Sequence, residues 1–122
     1  MKKIILDSNF LMIPFQFNID IFEEIKRICN FNYELFIIDK TIEELENLKE
    51  KEAKLALQLI KTKNIQQVTT NKDKIVDDLI LENLTENTII ATQDKGLKDR
   101  LKEKMIPMIT LRQKKHLILK TF

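Results

Sequence analysis

The chain has 122 residues, 43% of them hydrophobic and 33% charged, the size and composition of a globular domain that buries roughly two-thirds of its unfolded surface without disulfide or metal staples. One cysteine, Cys29, excludes an internal disulfide, one histidine, His116, excludes a Cys/His zinc cluster, and one glycine, Gly96, excludes glycine-rich phosphate loops and dinucleotide-binding turns. The net charge of +2 is unevenly spread: from Lys95 to Phe122, seven Lys and two Arg face only Asp99 and Glu103, a net +7 that leaves −5 on residues 1–94.

An acidic body with a basic final quarter suits a protein that gathers metal in one place and polyanion in another. A solvated, lysine-rich surface explains the same pattern. No apolar run approaches the roughly 20 residues of a membrane span. The opening Met1-Lys2-Lys3-Ile4-Ile5-Leu6 stops at Asp7, short of a signal-peptide core, so a cytoplasmic protein with no membrane partner is expected.

In chain order, Lys3 to Asp7 reads as a buried strand whose end reaches solvent. A connection holding Pro14 leads to a helix from about Ile19 to Cys29, with Ile21, Phe22, Ile25 and Ile28 on one face. Glu34 to Ile38 is a second strand, after which Asp39 or Thr41 caps a helix through Leu48. The next helix, Glu52 to Lys61, is expected to turn Leu55, Leu59 and Ile60 inward. Gln66 to Thr69 reads as a short third strand. Asp73 to Leu84 reads as a helix with Ile75, Val76, Leu79, Ile80 and Leu84 apolar. Thr88 to Thr92 is a fourth strand and Asp94 opens a helix to about Lys104. Pro107 to Leu111 is a fifth strand, and Leu117-Ile118-Leu119 a further one. Strands alternating with helices imply an α/β three-layer sandwich, a central parallel sheet flanked by helices, as one domain over residues 1–122. Ligands in this class bind beyond the carboxyl ends of the strands, where strand order reverses.

Two strands end alike, in Leu6-Asp7-Ser8-Asn9 and in Ala91-Thr92-Gln93-Asp94. If they are neighbours, Asp7 and Asp94 lie across one crevice. Glu44 precedes the apolar Leu45 in the first turn of its helix, and Asp77 lies at the border of an apolar face. Each has a structural explanation: a turn at Asp7, an N-cap at Asp94, a Thr41–Glu44 capping box, a lysine partner for Asp77. Four converging carboxylates would nevertheless repel one another, and Mg²⁺ or Mn²⁺, which take oxygen ligands, would relieve that repulsion.

The ordered set Asp7-Ser8-Asn9, Ile42-Glu43-Glu44-Leu45, Val76-Asp77-Asp78 and Ala91-Thr92-Gln93-Asp94-Lys95-Gly96-Leu97 resembles the PIN-domain ribonucleases over nearly the whole chain. Asn9 to Phe17 with Asp20-Ile21-Phe22, and Pro107 to Arg112, resemble its small archaeal VapC-type toxins and their relatives in ribosomal-RNA processing. The resemblance implies an endoribonuclease dependent on Mg²⁺ or Mn²⁺. Its catalytic acids fall on Asp7, Glu44, Asp77 and Asp94, with Asp7 and Asp94 as central metal ligands and Asp77 beside them. Glu43 and Asp78 are adjacent acids that leave the register open by one; Glu44 is preferred for preceding the leucine, and Asp77 for preceding Asp78. Ser8 or Asn9, with Thr92, would orient ligands or substrate. Many members carry another acid just after the Thr-x-Asp motif. Here Lys95-Gly96-Leu97-Lys98 stands there instead, which implies a weaker second metal site.

With no histidine near the acids to act as a base, a metal-activated water is the economical nucleophile. Arg100, Lys102, Lys104, Arg112, Lys114 and Lys115 would hold the RNA backbone without reading its sequence. Phe15, Phe17 and Ile19, in a connection that a lone domain would struggle to cover, imply a homodimer, and the toxin resemblance implies a possible antitoxin. The alternative is a non-catalytic PIN-fold scaffold that binds RNA during its maturation. A signalling receiver domain is excluded, because Glu50 to Ala56 offers no acceptor Asp at a strand end.

Overall fold

The computed structural model describes residues 1–122. Six strands form one sheet in the order β3-β2-β1-β4-β5-β6: β1 (Lys2–Leu6), β2 (Tyr33–Ile38), β3 (Gln66–Val68), β4 (Thr88–Ala91), β5 (Met108–Arg112) and β6 (His116–Lys120). The first five are parallel, with β1 between β2 and β4. β6 runs antiparallel to β5. Only Gln113 to Lys115 separate these two, too few for a parallel crossover. Gln113 and Lys114 take φ of 54° and 57°, and the Lys115 amide donates to the Arg112 carbonyl at 3.1 Å.

Side chains alternate across the sheet and divide the core in two. Ile4, Leu6, Ile37, Ile89, Ala91, Ile109 and Leu117 face one helical layer. It comprises α1 (Ser8–Leu11), α2 (Ile13–Phe17), α3 (Ile21–Ile28), α4 (Lys40–Asn47) and α5 (Lys51–Thr62). Ile5, Ile38, Ile90 and Met108 face α6 (Val76–Glu82) and α7 (Lys95–Glu103). This is the expected three-layer architecture. Covered on both faces, β1 reads as an unbroken apolar run rather than as an alternation.

Several boundaries differ from expectation for physical reasons. The early connection folds into α1 and α2, the latter with Pro14 in its first turn and ended by Asn18 at φ 56°. Phe15, Phe17 and Ile19 are thereby half-buried against the larger core rather than left uncovered. Asp20, accepting from the Phe22 and Glu23 amides, starts α3 two residues later than expected. Asp39 caps α4 and no Thr41–Glu44 capping box forms. Thr41 lies inside the helix, fully buried, its hydroxyl without a partner. The buried stripe of α5 is Ala53, Ala56 and Ile60, while Leu55 and Leu59 are half-buried, because the small alanines are what meets the core. α6 starts at Val76 rather than Asp73. Asp39 holds the Thr70 amide at 2.8 Å and the Lys40 ammonium donates to the Lys74 carbonyl at 2.7 Å, which tie the preceding residues down as a loop. Ile75, expected on the apolar face, is 63% exposed.

Candidate active site

β1 and β4 are hydrogen-bonded neighbours, so Asp7 and Asp94 leave adjacent strands at the same end of the sheet. β1 is also where the chain order reverses, the place at which open α/β sheets present their ligands. Asp7 caps α1 and is only 3% exposed. One of its oxygens, Oδ1, accepts from the Ser8 amide at 2.9 Å; the other, Oδ2, accepts from the Thr92 hydroxyl at 2.8 Å. Burial pushes this carboxyl up to about 6 against the pull of Thr92, and the nearby charges of Asp77 and Glu44 push the same way.

The Thr92 oxygen also accepts from the Asp94 amide at 3.1 Å, so a single hydroxyl ties the side chain of one acid to the backbone of the other. Asp94 caps α7 through Oδ1, which accepts from the Leu97 amide at 2.8 Å, and no protein donor engages Oδ2. A Cβ at position 96 would stand 3.2 Å from Asp94 Oδ1, so the lone glycine makes room for the carboxylate; its φ is not positive.

Glu44, half-buried on α4, accepts a short hydrogen bond from the Ser8 hydroxyl. Asp77, in the first turn of α6, is raised by burial and then by the charges of Asp94 and Glu44. The four expected acids therefore stand within reach of one another's charge at the carboxyl ends of β1 and β4. Their sequence neighbours are engaged elsewhere: Glu43 pairs with Lys72 at 3.2 Å, and Asp78 with Arg100 at 3.0 Å.

Asn9 accepts from the Gln93 amide at 3.0 Å and approaches Asp7 Oδ2 at 3.4 Å, long for a hydrogen bond. Gln93, which sequence reasoning passed over, accepts from the Leu111 amide at 2.8 Å and so joins the ends of β4 and β5 beneath the acids. Its only sequence signal is its place between Thr92 and Asp94.

The donor set is all oxygen, which suits a hard divalent cation. Asp7 is buried among like charges with no basic side chain paired to it, which again suits one. No three of the acids close on a common point at ligand distance. Ser8 holds Glu44 at the rim, whereas Asp94 keeps Oδ2 free beside its cap.

The expected RNA contacts separate. Arg100 is engaged by Asp78, and Lys104 lines the groove between α6 and α7 with Lys74, Asp78 and Glu82. Lys102 lies in the last turn of α7, away from the cleft. Arg112, Lys114 and Lys115 are exposed at the β5–β6 turn, on the same end of the sheet as the acids, and make no ion pair.

An acid cleft at the carboxyl ends of β1 and β4 in this sheet defines a PIN-type domain. Residues 4–114 match the family described as "PIN like domain", and the chain belongs to that family. It is similar to ribonuclease VapC4 of Methanocaldococcus jannaschii, 40% identical over 126 residues that cover 95% of each chain. Its fold is similar to that of the PIN domain endonuclease Utp24, with a TM-score of 0.86 and 26% identity, covering 98% of this chain and 92% of the other. No helix is long and apolar enough to cross a membrane.

Proposed function

We propose that this chain is a divalent-metal-dependent endoribonuclease that hydrolyses RNA phosphodiesters at the cleft of Asp7, Glu44, Asp77 and Asp94, with residues 1–122 acting as one PIN domain. The observation that carries the reading is Asp7, a carboxyl buried at the end of the central strand beside three further acids and without a basic partner. As an anion it is costly to keep there unless a cation joins it. Asp7, Asp94 and Asp77 would hold Mg²⁺ or Mn²⁺, with Glu44 kept at the rim by Ser8. When bound, the cation supplies an activated water and neutralises charge on the phosphate.

The chain's own groups supply position. Thr92 sets the spacing of Asp7 and Asp94, while Asn9 and Gln93 lock the strand ends that carry them. Arg112, Lys114 and Lys115 would hold the RNA backbone beside the cleft.

The likeness to ribonuclease VapC4 supports a cytoplasmic toxin with an antitoxin partner ahead of an RNA-maturation enzyme. A homodimer remains part of the proposal. A groove of about 380 Å³ between α2, α3 and α5, where Phe15, Ile19, Phe22 and Leu59 alternate with Asn18, Asp20 and Lys63, offers a mixed apolar and polar surface for it.

The test is incubation of the purified chain with Mn²⁺ and mixed RNA, alongside Mn²⁺ titration of the parent and Asp7→Asn by calorimetry. Cleavage by the parent, and loss of both cleavage and metal binding in the variant, is expected. If the parent leaves RNA intact and the variant binds Mn²⁺ equally well, the enzyme reading fails and the non-catalytic scaffold replaces it.

A further inference from the structure

The basic final quarter is not one patch. On α7, Leu97 and Leu101 face the core. At 100° per residue, Lys95, Lys98 and Lys102 project from one flank and Arg100 and Lys104 from the other. Arg100 and Lys104 meet α6, where Asp78 and Glu82 neutralise them. The opposite flank looks toward the β5–β6 hairpin. There Lys98 is partly buried, and its ammonium is lowered by that burial and by the charge of Lys120 on β6, which outweigh the opposing pull of Asp94.

The pairing register places Lys120 opposite Met108, Ile118 opposite Thr110 and His116 opposite Arg112, so these side chains share the α7 side of the sheet. The other side of β6 is covered. Leu117 and Leu119 pack into the larger core, Leu117 donates its amide to Glu24 at 2.9 Å, and Arg27 of α3 donates to the Leu117 carbonyl at 3.2 Å. On the α7 side, His116 and Ile118 are half-buried and Lys120 is exposed. The result is a shelf whose floor is β6 and whose wall is the flank of α7. Lys95, Lys98, Lys102, Arg112 and Lys120 border it and none makes an ion pair; the α7 acids Asp99 and Glu103 pair with none of them. It begins at Asp94 and Arg112, at the cleft, and runs down α7 for about 13 Å, the length of nine helical residues.

Lysines held together without an ion pair, one of them partly withdrawn from water and offset only by the more distant charge of Asp94, are stabilised by a polyanion. A backbone with a phosphate every few ångströms fits a linear shelf better than a point anion does. We propose that this shelf seats single-stranded RNA leading to or from the cleft, with Lys98 and Lys120 as phosphate contacts. The inference rests on the endoribonuclease reading, because the shelf opens onto that cleft.

The test is fluorescence anisotropy of a labelled 12-nucleotide single-stranded RNA with the full chain in EDTA, where cutting is silent. Lys98→Gln/Lys120→Gln is expected to weaken binding about tenfold near physiological salt and to flatten the salt dependence by about 0.7 per lost phosphate contact. Lys98→Arg should restore most of that loss. Lys26→Gln/Lys54→Gln removes the same charge from α3 and α5, on the other face, and should stay within about twofold of the parent. Equal weakening by the two double variants overturns the proposal, as does parental affinity in the Lys98/Lys120 variant or a poly-glutamate peptide that displaces RNA at matching concentration. If the parent cuts RNA with Mn²⁺ while the shelf variant binds like the parent, the shelf alone falls. A parent that neither binds nor cuts sinks both readings.

Discussion

Asp7 illustrates how one residue is set by opposing forces. Its folded value of about 6 lies above the ordinary 3.8, so ionising it opposes folding. Stability on this account is greatest below pH 4 and falls as pH rises through about 6, by at most about 3 kcal/mol. Asp7→Asn keeps one acceptor and loses the other, so at pH 8 in EDTA it should be more stable than the parent by roughly 1–2 kcal/mol, an advantage that disappears below pH 4. Urea melts at the two pH values check this, and Mn²⁺ should raise the melting temperature of the parent only. The paired acids make a second prediction. Glu44→Gln and Asp77→Asn should each slow RNA cleavage by more than about tenfold, while Glu43→Gln and Asp78→Asn, whose partners are Lys72 and Arg100 at the surface, should stay within about threefold. Initial rates on one RNA would show it, and equal losses within either pair would refute the assignment. At position 41, Val in place of Thr removes a buried hydroxyl that has no partner, so Thr41→Val should raise stability by about 1 kcal/mol in chemical denaturation.

At the scale of elements, caps and turns decide where the chain changes direction. Asp39 holds the Lys40 amide, the Thr70 amide and the Thr70 hydroxyl together, and so joins the end of β2 to the residues after β3. Burial opposes its ionisation, but these donors outweigh it and leave the carboxyl below its usual range. Glu24 accepts from Arg27 and from the Leu117 amide, which lowers it to about 2 and fastens α3 to the edge strand β6. Stability from both carboxylates is present at neutral pH and lost as pH falls through their lowered values. The β5–β6 turn places Gln113 and Lys114 at positive φ, where glycine and asparagine are the favoured residues. Lys114→Gly should therefore stabilise the chain by about 0.5–1 kcal/mol by thermal melting, and Lys114→Val should destabilise it.

For the whole molecule, the charge division becomes a division of labour between ends and faces. The acids meet at the carboxyl ends of β1 and β4, and the unpaired lysines and Arg112 border the hairpin side of α7. The α2–α3–α5 groove lies on the opposite helical layer, so dimerisation through it would leave the cleft and shelf open. Sedimentation velocity at micromolar concentration should give a dimer, and Phe15→Glu should give a monomer that still cuts RNA. A parent that sediments as a monomer would remove the dimer from the proposal.

Most of the strand and helix order was legible in the chain itself, because buried parallel strands such as Ile4-Ile5-Leu6 are short apolar runs and the helices repeat at 3.6 residues. The placement of the four proposed site acids was legible for the same reason: Asp7 and Asp94 follow strand ends, and Glu44 and Asp77 lie at helix starts beside an apolar residue. Three things were decided only in the fold. One is the contacts of the adjacent acids: Glu44 meets Ser8 and Asp77 the other acids, while Glu43 and Asp78 find surface cations, which supports the proposed choice within each pair. The start of α6 was set by a lysine and an aspartate about thirty residues away, beyond the reach of local periodicity. The basic quarter was divided into neutralised and free cations by α6 packing on one flank of α7 and β6 on the other, and charge counted along a chain carries no information about flanks.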